Sequence, residues 1–584
     1  MTEPPKDDSD STAPSSQSRI GGLFAGLRVV SFCTLLSRIL GLFREIATTA
    51  MWGNGPVLDA FVTAFRVPNL ARALFGEGAL SAAFTPLFVR EQEQHGSEAA
   101  MRLAGAVFVW LAIYLMLLVG IAESILGLVI WLVPLCDEWR LWLMLTAVML
   151  PYLPLICLTA QTGAVLNSVG RFVWPALLPV LFNICSLVAI WWIQCQGLNA
   201  ESQAFGLAGF IVLTGLIQLL ALWPQLHRCG FRIGRHWQEA KGRIRELVQL
   251  MLPVVLALSV TQINTFCDSM IALGFSRPST KETGQIVPPP KIELGVRAAK
   301  SPVEVVEQHL ELPRDWRPLE SGTASALNEG QRLYQFPLGL LGVALGTVIF
   351  PLLTRHAERG DWQHLRDDFA LGLRLVMVIG IPASAGLWLL SDQIVAAIFQ
   401  RGNFTAHDAH QATEMTAAYS LGVWAFCGLL IVQRAYYAIG DRQTPLRIGL
   451  WIMLLNLCLN ISLIFVIGGQ GLALSTSLCG ILQFGCCLLL IQKRIGQLPW
   501  RSLLSTSLRA IAAAGVMMIV GWSALNHLPG VDRTQHRLLS LSIAMIASLA
   551  SYALLASVLR LDEFWMLVRH SKVSTDNDAA GVSS

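Results

Sequence analysis

The chain reads as apolar runs of membrane-spanning length divided by short polar turns. A hydrocarbon layer of about 30 Å takes roughly 20 apolar residues per helix, and that ruler predicts about fourteen spans. They fall near residues 24–50, 57–88, 104–133, 141–167, 173–195, 203–226, 247–275, 323–354, 369–399, 412–438, 444–467, 470–492, 502–525 and 537–560. The second and eighth are long, polar and rich in Gly and Pro, which predicts bent helices.

Composition agrees with this pattern. Of 584 residues, 54% are hydrophobic and 14% charged, against about 25% charged in soluble domains. A net charge of +4 is too mild to point to nucleic acid. The 12 Cys form no CxxC and no Cys/His cluster, so neither zinc nor a disulfide framework is indicated. The expected class is an all-α polytopic membrane protein.

Residues 1–19 are acidic and rich in Ser and Pro, with no apolar core, and read as a disordered tail, not a signal peptide. The last dozen residues look similar, and 566–584 is expected as a cytoplasmic tail. Lys and Arg gather in alternate connections, at Arg228, Arg232, Arg235, Lys241, Arg243 and Arg245, then at Arg355, Arg359 and Arg366, then at Lys493, Arg494 and Arg501. The connections near 52–56, 196–202 and 467–470 have neither, so both termini are expected in the cytoplasm. Residues 276–321 break the pattern. They are polar, contain Pro288, Pro289 and Pro290, and read as a tolerated outer insertion. Within it, 302–312 has the pattern of a short amphipathic helix.

LNSVGRFVWP (166–175) is echoed by YAIGDRQTP (437–445). Each ends one span at Gly170 or Gly440, turns through an Arg, and opens the next span at Pro175 or Pro445. AAFTPLF (82–88) and TVIFPLL (347–353) echo more weakly. The expected organisation is an N-terminal lobe at 20–240, a related C-terminal lobe at 241–497 and two further helices at 498–565. Repeated halves around a central site are the usual build of an alternating-access transporter.

Charge inside the spans carries the functional signal. Arg38 and Arg44 fall in the first, Asp59, Arg66, Arg72 and Glu77 in or beside the second, and Arg332 early in the eighth. An Arg at a helix centre costs about 2.5–3.5 kcal/mol on insertion scales, so it normally faces a cavity or a partner. Arg38, Gly41 and Arg44 lie on one stripe, with Gly41 leaving room for a ligand or another helix. Asp59 and Arg66 share a face, and salt bridging inside the bundle is a full alternative for Arg66 and Glu77. Bases outnumber acids, and Arg binds phosphate through a bidentate fork. The expected substrate is anionic, phosphate-bearing and drawn from a membrane.

Asp268 in the seventh span, Asn456 and Asn460 in the eleventh, and Thr476 in the twelfth form a quieter polar set. Such oxygen ligands suit a hard monovalent cation such as sodium, though hydrogen bonding between helices is the commoner use of Asn and Thr. No Walker A loop, GxSxG elbow or HExxH motif occurs, so neither ATP hydrolysis nor another enzymatic activity is expected.

SRILGLFRE (37–45), LDAFVTAFRVPNLARALFGEGALSAAFTP (58–86), NSVGRFVWPALLPVLFNI (167–184) and RLYQFPLGLLGVALGTVIFPLLTRH (332–356) resemble the MurJ/MviN family of lipid II flippases. That family sits in the exporter superfamily shared with the MATE transporters. The resemblance covers the chain apart from its tails and the 276–321 insertion. It implies fourteen helices in two lobes around a cationic cavity, with a prenyl-tail groove at the last two. It implies Arg38, Arg44, Arg72, Arg332, Asp59 and Glu77 as substrate residues. It also implies a sodium site at Asp268, Asn456, Asn460, Thr476 and the carbonyl of Leu472, although Asn460 stands where sodium-binding members have an acid. Gly330 and Gln331 stand where the family often has Ala and Asp.

The resemblance implies a flippase for lipid-linked peptidoglycan precursor in the bacterial inner membrane, working beside cell-wall synthesis proteins. Pro68, Pro86, Pro337 and Pro351 are its candidate bend points. The alternatives are export of another undecaprenyl-linked saccharide or an amphipathic compound, and a non-transporting cell-wall scaffold.

Overall fold

The computed structural model describes residues 16–72, 81–233, 237–277, 317–527 and 534–566. Glu77, the proline run and the amphipathic stretch 302–312 lie outside them. The chain is built from helices: α1 (Ser16–Trp52), α2 (Pro56–Ala71), α3 (Ser81–Leu132), α4 (Asp137–Met149), α5 (Tyr152–Ser168), α6 (Val173–Gln194), α7 (Ala200–Arg228) and α8 (Trp237–Gly274). After the insertion come α9 (Thr323–Pro337), a π-helical turn (Leu338–Gly342), α10 (Val343–Glu358), α11 (Trp362–Phe399), α12 (Ala406–Ser420), α13 (Val423–Ala438), α14 (Gln443–Ile467), α15 (Gln470–Ile495), α16 (Trp500–His527) and α17 (Thr534–Val558).

Among the described residues, nine helices are long and apolar enough to cross a membrane, ten if the bent pair α12–α13 counts as one span. The chain is a multi-pass membrane protein. The expected spans outside this set are the first, second, seventh and eighth. They are represented by α1, α2 with the start of α3, α8, and α9 with α10. These elements carry Arg38, Arg44, Asp59, Arg66, Asp268 and Arg332, with Arg72 directly after α2. Three of them, α2, α9 and α10, are also shorter than a span, at 16, 15 and 16 residues.

Three boundaries differ from the sequence reading. The second span was expected as one bent helix over 57–88. Within it, α2 covers Pro56–Ala71 and α3 is described from Ser81, with 73–80 outside the described residues, and α3 runs past the expected end to a break at Gly96 (φ 85°) before continuing to Leu132. The fourth span is two helices parted near Pro151, where the missing N–H cannot continue a helix. The tenth bends by 44° between Ser420 and Val423. In the eighth, a π turn directly follows Pro337. Pro68, Pro86 and Pro351 lie inside helices.

The repeated turn is preserved in detail. Gly170 and Gly440 have φ of 79° and 78°, values that suit a residue without a Cβ. Gly170 N–H donates to Asn167 O and Gly440 N–H to Tyr437 O, each at 3.1 Å. Arg171 N–H donates to Leu166 O at 2.8 Å and Asp441 N–H to Tyr436 O at 3.0 Å. Both are Schellman-type helix ends, and new helices start at Val173 and Gln443.

The chain forms two compact units. The first takes in residues up to Thr48, Val67–Leu135 and Leu143–Leu258, and the second Thr49–Arg66, Cys136–Trp142 and the chain from Ser259. In the first, α5 packs on α3 and α7, and α6 on α7. Close approach there rests on Gly215, where a Cβ would come within 2.7 Å of the Tyr152 ring. Arg90 pairs with Glu246 at 2.9 Å and Arg243 with Glu91 at 3.0 Å, joining α3 before its break to α8.

In the second unit, α9 packs on α12. Met415 crowds Gly330, where a Cβ would meet it at 3.1 Å. The last two helices lie against α11, with Ala513, Ala514, Met517 and Tyr552 as their buried contact. Arg374 on α11 reaches Glu563 at 3.2 Å and Ser502 Oγ at 2.6 Å. The insertion is closed at its base. Arg277 N–H donates to Leu319 O at 2.9 Å and Leu319 N–H to Phe275 O at 3.1 Å. Arg317 donates to Ser276 O at 2.9 Å and pairs with Glu138 at 3.6 Å.

Candidate functional site

The four arginines expected to meet an anion divide between the units, with Arg38, Arg44 and Arg72 in the first and Arg332 in the second. Arg38 and Arg332 are exposed, Arg44 and Arg72 half-buried. Arg44 lies over the Phe182 ring, 5.3 Å from its centroid, and pairs with Glu45 at 3.7 Å. The ring and the pair hold its guanidinium in place. Arg72 donates its Nε to Asn69 Oδ1 at 2.9 Å. Gly41, read as leaving room for a ligand or a helix, serves the helix. A Cβ there would meet Asn183 of α6 at 3.6 Å, and Asn183 donates to Ser37 O at 3.0 Å.

Asp59, expected among the substrate residues, faces the start of α9. It is buried, and Oδ2 accepts Gly322 N–H at 2.7 Å. Oδ1 accepts the N–H and the hydroxyl of Ser325 at 2.7 and 2.6 Å. It caps the start of α9 from another helix. Neighbouring contacts extend the same seam. Asn54 donates to Glu329 Oε2 at 3.2 Å, and Asn403 donates to Ala50 O at 2.8 Å and Met51 O at 2.7 Å. Arg66, for which salt bridging was an equal reading, instead donates to two neutral oxygens, Thr265 O at 3.0 Å and Gln331 Oε1 at 3.1 Å.

The quieter polar set does converge. Asp268, Asn456 and Asn460 are buried together. Asn460 Nδ2 donates to Asp268 Oδ1 at 2.6 Å and to Asn456 Oδ1 at 2.9 Å. Thr476 Oγ1 donates to Leu472 O at 3.0 Å and contacts Asp268 Oδ2 at 3.4 Å. Ser475 joins them, donating to Leu472 O at 2.9 Å and to Asn460 Oδ1. The oxygens named for sodium are therefore close, but an amide nitrogen sits between two of them. Among the described residues, no group of three His, Cys, Asp or Glu side chains is placed to hold a metal.

Sequence reasoning missed Ser325, Gly322, Gln331, Ser475 and Thr265 as partners. Three of these act through backbone atoms, which side-chain chemistry does not announce. Ser325 and Ser475 are small hydroxyls with no signal of their own.

A family model described as "Lipid II flippase MurJ" matches residues 48–280 and 316–532, passing over the centre of the insertion. A probable lipid II flippase MurJ of Rhizobium tropici is 30% identical over 84% of each chain. One of Vibrio cholerae is 31% identical over 78% of this chain and 80% of its own. Among solved structures, a lipid II flippase MurJ in an inward closed conformation aligns with TM-score 0.70 at 22% identity, over 91% of this chain and 99% of that one. An inward-facing multidrug resistance MATE family transporter aligns with TM-score 0.59 at 14% identity, over 81% and 96%. Both share the fold.

Proposed function

This chain belongs to the lipid II flippase MurJ family, and from that membership we propose that it carries lipid II, a lipid-linked peptidoglycan precursor, from the cytoplasmic to the outer leaflet of a bacterial inner membrane. The observation that carries the reading is the extent of the match, which takes in both units and includes Arg72 and Arg332. Arg38 and Arg44 precede the matched residues but share the arginine-rich stretch of α1.

In this reading Arg38, Arg44, Arg72 and Arg332 hold the pyrophosphate and the acidic headgroup, since a guanidinium fork fits a phosphate's oxygens. The prenyl tail stays in lipid, beside α16 and α17. Alternating access needs substrate binding to favour one conformation over the other. The π turn after Pro337 is the place in the eighth span where backbone hydrogen bonding changes register. The Lys and Arg asymmetry supports a cytoplasmic side for both termini.

The test is to deplete a host of its own flippase, express wild type or Arg332→Ala, and measure lipid II exposed on the outer leaflet. Restoration by wild type alone, with both proteins in the membrane, supports substrate and arginine role together. Restoration by neither directs the reading to another prenyl-linked saccharide. Restoration by both removes Arg332 from the site.

A further inference from the structure

Asp268 is a carboxylate buried within a membrane-spanning helix, where an unbalanced charge costs several kcal/mol. Its neighbours show what balances it. From α14, Asn460 lays its amide nitrogen 2.6 Å from Oδ1 and 2.9 Å from Asn456 Oδ1. That nitrogen bridges two oxygens as a cation would, with its hydrogens carrying partial positive charge. Turning the Asn456 amide over sets its nitrogen 2.9 Å from Asn460 Nδ2 in place of the oxygen, and the bridge passes to Asn456, whose nitrogen reaches Asp268 Oδ1 and Asn264 Oδ1, each at 3.1 Å. Either orientation leaves amide hydrogen on the carboxylate. From α15, Thr476 faces Oδ2.

The full charge comes from α2. Arg66 is anchored on Thr265 O and Gln331 Oε1. Thr265 lies one turn before Asp268 on α8, so the guanidinium is docked beside the acid and acts on it electrostatically. Because both anchors are neutral oxygens, the contacts that fix Arg66 do not spend its charge. Tyr334 and Tyr419, which face Arg66 and Asp268 from α9 and α12, are neutral.

We infer that Arg66 and Asn460 together take the place of a bound cation at Asp268, so that this centre is balanced from within the chain and takes no sodium. One guanidinium, docked on the carbonyl one turn before the acid, offsets one carboxylate, and the bridging position among the oxygens is filled by an amide. Lipid movement then draws nothing from a sodium gradient at this centre.

The experiment follows thermal unfolding of the purified protein in sodium chloride and in choline chloride at equal ionic strength. It reads ion binding without transport, so the flippase reading can fail while this inference stands, and the reverse. Wild type is expected to unfold at the same temperature in both salts. Asn460→Asp is expected to gain a saturable, sodium-dependent rise of several degrees, because the bridging donor becomes a second acid. Arg66→Met is expected to gain a sodium response too, one that vanishes when Asp268→Asn is added. A saturable sodium response in wild type that Asp268→Asn abolishes overturns the inference. So does a wild-type protein blind to sodium whose Asn460→Asp and Arg66→Met variants fold and are equally blind.

Discussion

Ser325 gives Asp59 two hydrogen bonds, from its backbone N–H at 2.7 Å and its hydroxyl at 2.6 Å, across 266 residues of sequence. The physical need is local to α9. Its N-cap is Gly322, in a left-handed conformation (φ 93°) with no capping side chain, and its first turn holds no acid. A helix start leaves N–H groups unsatisfied and favours negative charge. Asp59 supplies both remedies from α2, which explains why an acid is kept inside the second span.

Asp59→Ala should therefore act on stability as well as on flipping. Losing a charged acceptor from three buried donors is expected to cost ~1–3 kcal/mol. Asp59→Asn should cost less, because one amide oxygen still accepts. Thermal unfolding of the purified variants decides this, and an Asp59→Ala protein as stable as wild type rules the cap out.

For the arginines the expectation is the reverse. Arg72→Ala and Arg332→Ala should insert and unfold like wild type yet lose more than about tenfold in outer-leaflet lipid II, roughly 1.4 kcal/mol or more of lost interaction. Lysine at either position should restore part of the activity, since it keeps the charge but not the fork. Full activity with alanine would remove that residue from headgroup binding.

Two glycines separate backbone strain from crowding. At Gly170 φ is 79° with open space around it, whereas at Gly53 φ is 66° and a Cβ would meet Asn403 O at 2.5 Å. Gly170→Ala should cost about 1–2 kcal/mol from conformation alone. Gly53→Ala should cost clearly more, because the Asn403 contact must also give way. Equal unfolding temperatures for the two variants would contradict the packing at the end of α1.

The insertion should be removable. Its base is fastened by the Phe275, Arg277 and Leu319 hydrogen bonds and by Arg317 on Glu138. Replacing residues 279–315 with a short Gly/Ser linker is expected to leave the unfolding midpoint and lipid II exposure close to wild type, since closing a loop of different length costs little. Loss of flipping by a stably folded deletion would instead favour a partner-binding role for the segment.

The sequence by itself determined the class of molecule and most of its spans, because a bilayer imposes length and apolarity on each helix separately. It also determined the repeated Gly-to-Pro turn, because a left-handed helix end is encoded within a few residues. It singled out Arg38, Arg44, Asp59, Arg66, Arg72, Asp268 and Arg332 as exceptional, because charge in an apolar run is visible without a fold. Tertiary structure alone decided what several of these do. Asp59 accepts from the start of α9, Arg66 donates to Thr265 and Gln331, and Asn460 donates to Asp268 and Asn456. Each outcome depends on which backbone or neutral oxygen lies opposite across hundreds of residues, and hydrogen-bond direction is a property of that meeting.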